Sequence, residues 1–207
     1  MDSISPTDAR RGRSPGRPRE FDIDHALDQA IPVFCERGYH GTSISDLKEA
    51  MGVAAGSLYK AFKDKKSIFL AAFDRYKQVR NAALDADLRA GTDGRDKIRR
   101  MLLGYAKASA GETGRRGCLV VMTAAELALS DPDAAERVAR SNAGLEDRFR
   151  VLIAEGQEDG SIRPDLDPIA TARSLLCIVQ GMRVIAKTDL NDEVPMAVVS
   201  SAMKLLG

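Results

Sequence analysis

Between Ala54 and Phe62 the chain gathers small, hydroxyl-bearing and basic side chains on one side of a short helix. Leu58 and Phe62, four residues apart, pack inward on Val53 and Met51, which turns Ala55, Gly56, Ser57, Tyr59 and Lys60 outward. Small side chains let a helix backbone approach a major groove, while hydroxyls and an amine reach phosphates and base edges. That chemistry points to duplex DNA. Cys118, preceded by Arg115, Arg116 and Gly117, offers a different one. If Gly117 and Cys118 open a helix, its free amides and positive dipole end favour the thiolate, and Cys118 would be alkylated faster than Cys35 or Cys177. Leu119, Val120 and Val121 follow at once, which instead reads Cys118 as a small, inert core residue. A thiol-dependent enzyme lacks its other parts. His25 and His40 both fall in the N-terminal region, so no Cys-His pair with an orienting acid is assembled, and Gly-rich phosphate loops and metal-binding spacings are absent. No cofactor or metal is expected.

Holding those outward residues in place requires a helix, a tight turn and a second helix. Ile44, Leu47 and Met51 fall at i, i+3 and i+7, one face of a helix. Ser43, with Asp46 three residues on, predicts an N-cap resembling a capping box, and Gly52 takes a left-handed C-cap most cheaply. The next helix resumes at about Ala54. Upstream, a helix from Phe21 carries Leu27, Ala30, Ile31 and Phe34 on one face and closes near Arg37 and Gly38. Pro32 inside it removes a hydrogen bond, at about 3 kcal/mol in an unadapted context, and predicts a local bend. A fourth helix begins near Asp64 or Lys65 and runs through Phe69, Phe73, Tyr76 and Leu84, a natural lever to the rest of the molecule.

The run Gly-Tyr-His-Gly-Thr-Ser-Ile-Ser-Asp-Leu over 38–47, then Met-Gly-Val-Ala-Ala-Gly-Ser-Leu-Tyr-Lys-Ala-Phe over 51–62 and Asp-Lys-Lys-Ser-Ile-Phe over 64–69, closely resembles the N-terminal domain of TetR/AcrR-type transcriptional regulators. Pro32 departs from that pattern. The resemblance implies an all-α fold, with an N-terminal three-helix helix-turn-helix DNA-binding domain joined by a linking helix to a C-terminal helical ligand-binding and dimerisation domain. The expected divisions are a flexible basic arm over 1–19, the DNA-binding domain over 20–66 and the effector-binding and dimerisation domain over 67–207. Carried over by residue, it implies phosphate contacts from Ser43, Ser45, Tyr59 and Lys65, with Ala55, Gly56, Ser57 and Lys60 facing bases. It further implies a homodimeric repressor that reads a palindromic operator through successive major grooves about 34 to 36 Å apart and is released by a small-molecule inducer. Gly117-Cys118-Leu119 resembles an element found in a subset of the family.

Composition agrees with a folded regulator. The chain has 207 residues, 44% of them hydrophobic, enough for one large or two small domains. No charge-free apolar run is long enough to span a bilayer and the N-terminus lacks a signal peptide's apolar stretch, so no membrane partner and a cytoplasmic location are expected. The net charge is only +1, yet residues 1–19 hold five arginines against Asp2 and Asp8, and Lys60, Lys63, Lys65 and Lys66 surround Asp64. Arg17 and Arg19, in Gly16-Arg17-Pro18-Arg19, look like a minor-groove strip, or serve as sequence-independent phosphate attraction.

Beyond Gly91 the chain reads helical throughout. Ile98, Met101, Leu102 and Tyr105 mark one helix, Leu119 to Leu129 a second, and Asp131-Pro132 starts a third that runs to Gly156. Asp167-Pro168 repeats the device, and the last helix covers about Glu193 to Leu206. Apolar residues surround most of the helix after Pro168, so one face packs inward and another against a second copy. The candidate cavity residues are Tyr105, Cys118, Met122, Glu126, Phe149, Cys177, Gln180 and Arg183, with an unknown small organic molecule as effector. Glu126 and Arg183 have the alternative of a solvated or dimer-facing position. Two other classes stay open, a Cys118 redox sensor and a ligand-free architectural DNA-binding protein.

Overall fold

The computed structural model describes residues 22–188, 191 and 193–207, so the basic arm with Arg17 and Arg19 lies outside the described residues. Four helices build the N-terminal part: α1 (Ile23–Arg37), α2 (Ile44–Met51), α3 (Ala55–Ala61) and α4 (Lys65–Arg89). Each start is set locally. Asp22 caps α1 by accepting from the His25 amide at 3.1 Å. Ser43 and Asp46 form the full capping box of α2, and Asp64 with Ser67 forms another at α4. Gly52 closes α2 in the left-handed conformation, φ 64° and ψ 32°, as its position predicts. Pro32 sits inside α1 without ending it.

These helices enclose Phe34, Leu47, Leu58, Phe69 and Phe73, all buried, with Phe34 and Tyr39 both edge-on to Phe69 at 5.0 and 5.1 Å. Burial of each such side chain contributes about 1.5–3 kcal/mol. The cluster does not stop at the expected boundary. Cys118, Leu119, Val120, Leu127, Ala134 and Val138 complete it from the C-terminal part.

That part consists of α5 (Gly94–Ala108), α6 (Gly111–Arg116), α7 (Leu119–Glu126), α8 (Pro132–Asp159), α9 (Pro168–Ile185) and α10 (Glu193–Met203), then a 3-10 turn over Lys204–Leu206. Asp131 and Asp167 cap α8 and α9 with proline in the first turn. α8 packs on α5 and α9 around Ile98, Met101, Leu102, Phe149, Ile153, Leu175 and Val179, and α10 covers the end near Val199 and Leu206. One helix was not anticipated and one expectation needs correction. α6 has no counterpart in the sequence reading, because Gly-Glu-Thr-Gly-Arg-Arg carries no apolar period. The helix expected over Leu119 to Leu129 ends at Glu126, since the Leu127 carbonyl accepts from the Ser130 and Asp131 amides in the turn that starts α8, which leaves Leu129 fully exposed.

A candidate nucleic-acid interface and the cavity behind it

α3 owes its orientation to one side chain in each direction. Leu58 is fully buried and Phe62 nearly so, and their burial turns Gly56, Ser57, Tyr59 and Lys60 to the surface, with Ala55 half-buried at the edge. Tyr59 is 58% exposed, an unusual position for an aromatic ring in a monomer's own packing. A Cβ placed on Gly56 would meet nothing within 4 Å. Ser43 and Ser45 are also exposed at the start of α2. The Ser43 hydroxyl already accepts from the Asp46 amide at 3.1 Å and donates to its carboxylate at 2.6 Å, and this second bond, with one from the Ser43 amide at 2.8 Å, holds the Asp46 carboxyl below the usual range.

The loop between α1 and α2 fixes how this surface is presented. The Lys65 ammonium donates to the Tyr39 and Thr42 carbonyls, both at 3.0 Å, and lies 4.3 Å above the Tyr39 ring. Two of its three N–H bonds are therefore committed to the fold. Glu126, expected in a cavity, reaches the same loop from α7: its carboxylate accepts from the Tyr39 amide at 2.8 Å and the His40 amide at 3.3 Å. Gly38 makes room for it. At φ 71° its backbone favours glycine, and a Cβ there would stand 1.8 Å from a Glu126 oxygen. Other ties are ionic. Lys66 pairs with Asp131 and Asp133 at 2.7 and 2.8 Å, Arg137 with Asp74 at 3.0 Å, and Arg75 clamps Asp28 and Asp24 at 2.8 Å each. Lys66 thus faces α8, and only part of the basic cluster around Asp64 is free for an anion.

Residues 26–72 match the family described as bacterial regulatory proteins, tetR family, and residues 94–203 match the tetracyclin repressor-like C-terminal domain. Together these cover both halves of the fold. The chain belongs to the TetR family. It is 31% identical over 197 residues to the HTH-type transcriptional repressor ComR of Escherichia coli, covering 93% of this chain and 92% of ComR. It is 31% identical over 175 residues to the repressor DhaR of a Mycobacterium, covering 82% and 84% of the two chains. Among solved structures, a cysteine mutant of the TetR family regulator CifR complexed with a 26-bp double-strand operator DNA superposes with a TM-score of 0.82 at 29% identity, covering 93% of this chain and all of that one. As a TetR-family member the chain is a DNA-binding transcriptional regulator, not an enzyme.

Behind the reader of this TetR-family chain, α4, α5, α8 and α9 enclose a cavity that four of the eight anticipated residues line: Tyr105, Cys118, Gln180 and Arg183. The other four lie elsewhere. Phe149 is wholly buried in the C-terminal core, Cys177 is exposed on α9, and Met122, like Glu126, stands at the junction with α1, its sulfur accepting from Lys187 at 3.1 Å. Their sequence positions could not distinguish the two sides of α7 and α9. Arg183 is 2% exposed, so neither the solvated nor the dimer-facing alternative holds for it. It donates to the Gly117 carbonyl at 2.8 Å, to the Ala108 carbonyl and to the Ser109 hydroxyl at 3.5 Å, while its Nε has no partner among the described residues. Cys118 is buried beside it and accepts from the Tyr76 hydroxyl at 3.5 Å. Burial opposes ionisation of this thiol, but the Arg183 charge, the Tyr76 hydroxyl and the Val121 amide outweigh it and lower its pKa. Burial instead pushes Cys35 up to about 12. Tyr76, Lys77 and Arg80 on α4, Val120 on α7 and Ser141 and Leu145 on α8 complete the cavity and were missed. For α4 the signal was present in Tyr76, Lys77 and Arg80 on consecutive turns of the lever helix, where basic residues read as ordinary solvated positions.

No helix among the described residues is long and apolar enough to cross a membrane. No group of His, Cys, Asp and Glu among them is arranged to hold a metal ion.

Proposed function

We propose that the protein is a homodimeric repressor that reads a palindromic operator with two copies of α3 and is released by a small organic molecule bound between α4, α5, α8 and α9. The observation that carries the DNA part is the exposed Gly56, Ser57, Tyr59 and Lys60 face, held by buried Leu58 between α2 and α4, each of which opens on a capping box. Ala55, at its half-buried edge, and Gly56, Ser57 and Lys60 face bases, while Tyr59, Ser43 and Ser45 touch phosphates. Lys65 acts chiefly by fixing the loop, with one N–H left for a phosphate. The operator complex of the similar CifR and the repressor names of ComR and DhaR support this reading.

Dimerisation is supported by the outer face of α9 and α10. Ile169, Val184, Ile185, Met196 and Leu205 are exposed there, beside a groove lined by Ile178, Val194, Ala197 and Val198. So much apolar surface on adjoining helices of a soluble regulator fits a two-fold mate, which operator symmetry also requires. Residues 20–66 with the arm form the reader and 67–207 the effector and dimerisation part, although the two share one core. α4 passes from Lys65 at the reader to Arg80 at the cavity, roughly 20 Å at 1.5 Å per residue. A ligand that displaces α4 against α5 and α8 therefore changes how each α3 is held.

Selection of tight-binding duplexes from a random pool tests the proposal. The expected product is one palindromic motif whose half-sites are centred about one helical turn apart. Recovery of no motif, or of a single asymmetric half-site bound by a monomer, overturns it.

A further inference from the structure

The cavity behind Cys118 shares Tyr105 with two adjoining open clefts of about 190 and 180 Å³. Their charge is one-sided. Among the lining residues only Asp87 is acidic, against Lys77, Arg80, Arg140, Arg148 and Arg183. Arg148 is matched by Asp85 and Arg140 by Glu136. The other three have no carboxylate partner among the described residues. Arg80 lies between the Tyr76 and Tyr105 rings at 5.7 and 5.6 Å, and Arg183 holds only carbonyl and hydroxyl oxygens and leaves its Nε free. Lys77 has neither an ion pair nor a hydrogen bond among the described residues, and burial lowers its pKa. Cations withdrawn from water without a counter-charge are costly, and an unbonded buried donor adds to that cost. Both are relieved by an anion.

We propose that these clefts bind a small organic anion, a carboxylate or sulfonate on an apolar body, with its charge among Lys77, Arg80 and the free Arg183 Nε. Its body rests against Leu84, Met101 and Tyr105. The proposal gives the effector its chemical class and in that respect rests on the ligand-responsive reading. A neutral ligand of the same shape gains the same apolar contact but leaves the cations unmatched, so the preference for the anion is set by charge-assisted hydrogen bonds.

The test compares two fluorescent probes on the full-length protein, 1-anilinonaphthalene-8-sulfonate and its uncharged parent, N-phenyl-1-naphthylamine. The sulfonate is expected to bind at least about tenfold more tightly, and Arg80→Gln and Lys77→Met each to reduce that preference severalfold while the uncharged probe binds as before. Both side chains reach the surface, so the variants are expected to fold, and a melting curve checks each. If one unfolds, the other decides. Equal binding of the two probes overturns the proposal, as does a preference that survives both substitutions. Binding is read without DNA, which separates the two readings. A charge preference abolished by the variants, with operator binding unmoved by the bound anion, supports the anion site and counts against ligand-responsive release.

Discussion

Lys60 carries an exposed ammonium with no partner among the described residues, on the same face of α3 as Ser57 and Tyr59. If that group reads a base edge, Lys60→Ala changes the ranking of operator variants by about 1–3 kcal/mol at the contacted position, while nonspecific binding changes little. Competition among singly substituted duplexes checks this, and a uniform loss on every duplex would move Lys60 to the phosphate class. Lys65→Ala acts differently because it leaves the Tyr39 and Thr42 carbonyls without their donor, at a cost of about 1–3 kcal/mol in folding stability. Urea melts of the variant read that loss. Cysteine labelling separates accessibility from ionisation. Cys177 is exposed on the face of α9 that carries Val184, seven residues on, so iodoacetamide is expected to label it fast in a monomer and slowly in the proposed dimer. Cys35, with its thiol pushed up to about 12, reacts last. Mass spectrometry of timed aliquots gives the order, and labelling of Cys35 before Cys118 would show that Arg183 does not favour the thiolate.

At the scale of elements, α3 and the α1–α2 loop make opposite demands on glycine. Gly38→Ala forces a methyl into the Glu126 carboxylate at a positive φ, and a loss of about 1–3 kcal/mol is expected in denaturant melts. Gly56→Ala meets open space and a helix that gains propensity, so stability is unchanged or rises by about 0.5–1 kcal/mol. Weaker DNA binding by this stable variant would show that α3 approaches the groove closely, and unaltered binding would place α3 further away. The periods of α1 to α4 and the two ends of α2 were legible because Ser43, Asp46 and Gly52 specify that helix within a few residues, whereas the Asp22 cap was not read and Asp64 was read only as an approximate start. α6 was not legible, since nothing in its composition repeats. The place of Glu126 at the α1–α2 loop, and not in the cavity, was hidden for a related reason. Its role depends on which helix lies opposite, and a single chain's period shows a face without showing its neighbour.

For the whole molecule, acid sensitivity follows from carboxylates that the fold holds ionised. Asp96, bonded to Arg100 and Arg99, is lowered to about 2, and Asp28, Asp46, Asp64, Asp131 and Asp159 are lowered as well. Groups with a depressed folded pKa contribute stability that is present above their unfolded value, about 3.9, and is lost as pH falls through the folded value. The urea midpoint is therefore expected to decline steadily from about pH 5 to pH 2, and a midpoint constant over that window would contradict the capping and ion-pair assignments. The central claim is that two α3 faces enter successive major grooves on one side of a duplex. Methylation protection at guanine N7 on a selected operator tests it most directly. The account predicts two protected patches centred about 10 base pairs apart, symmetric about the palindrome and weakened together by Gly56→Ala. A single patch, or guanine N7 left unprotected on a bound operator, would contradict it.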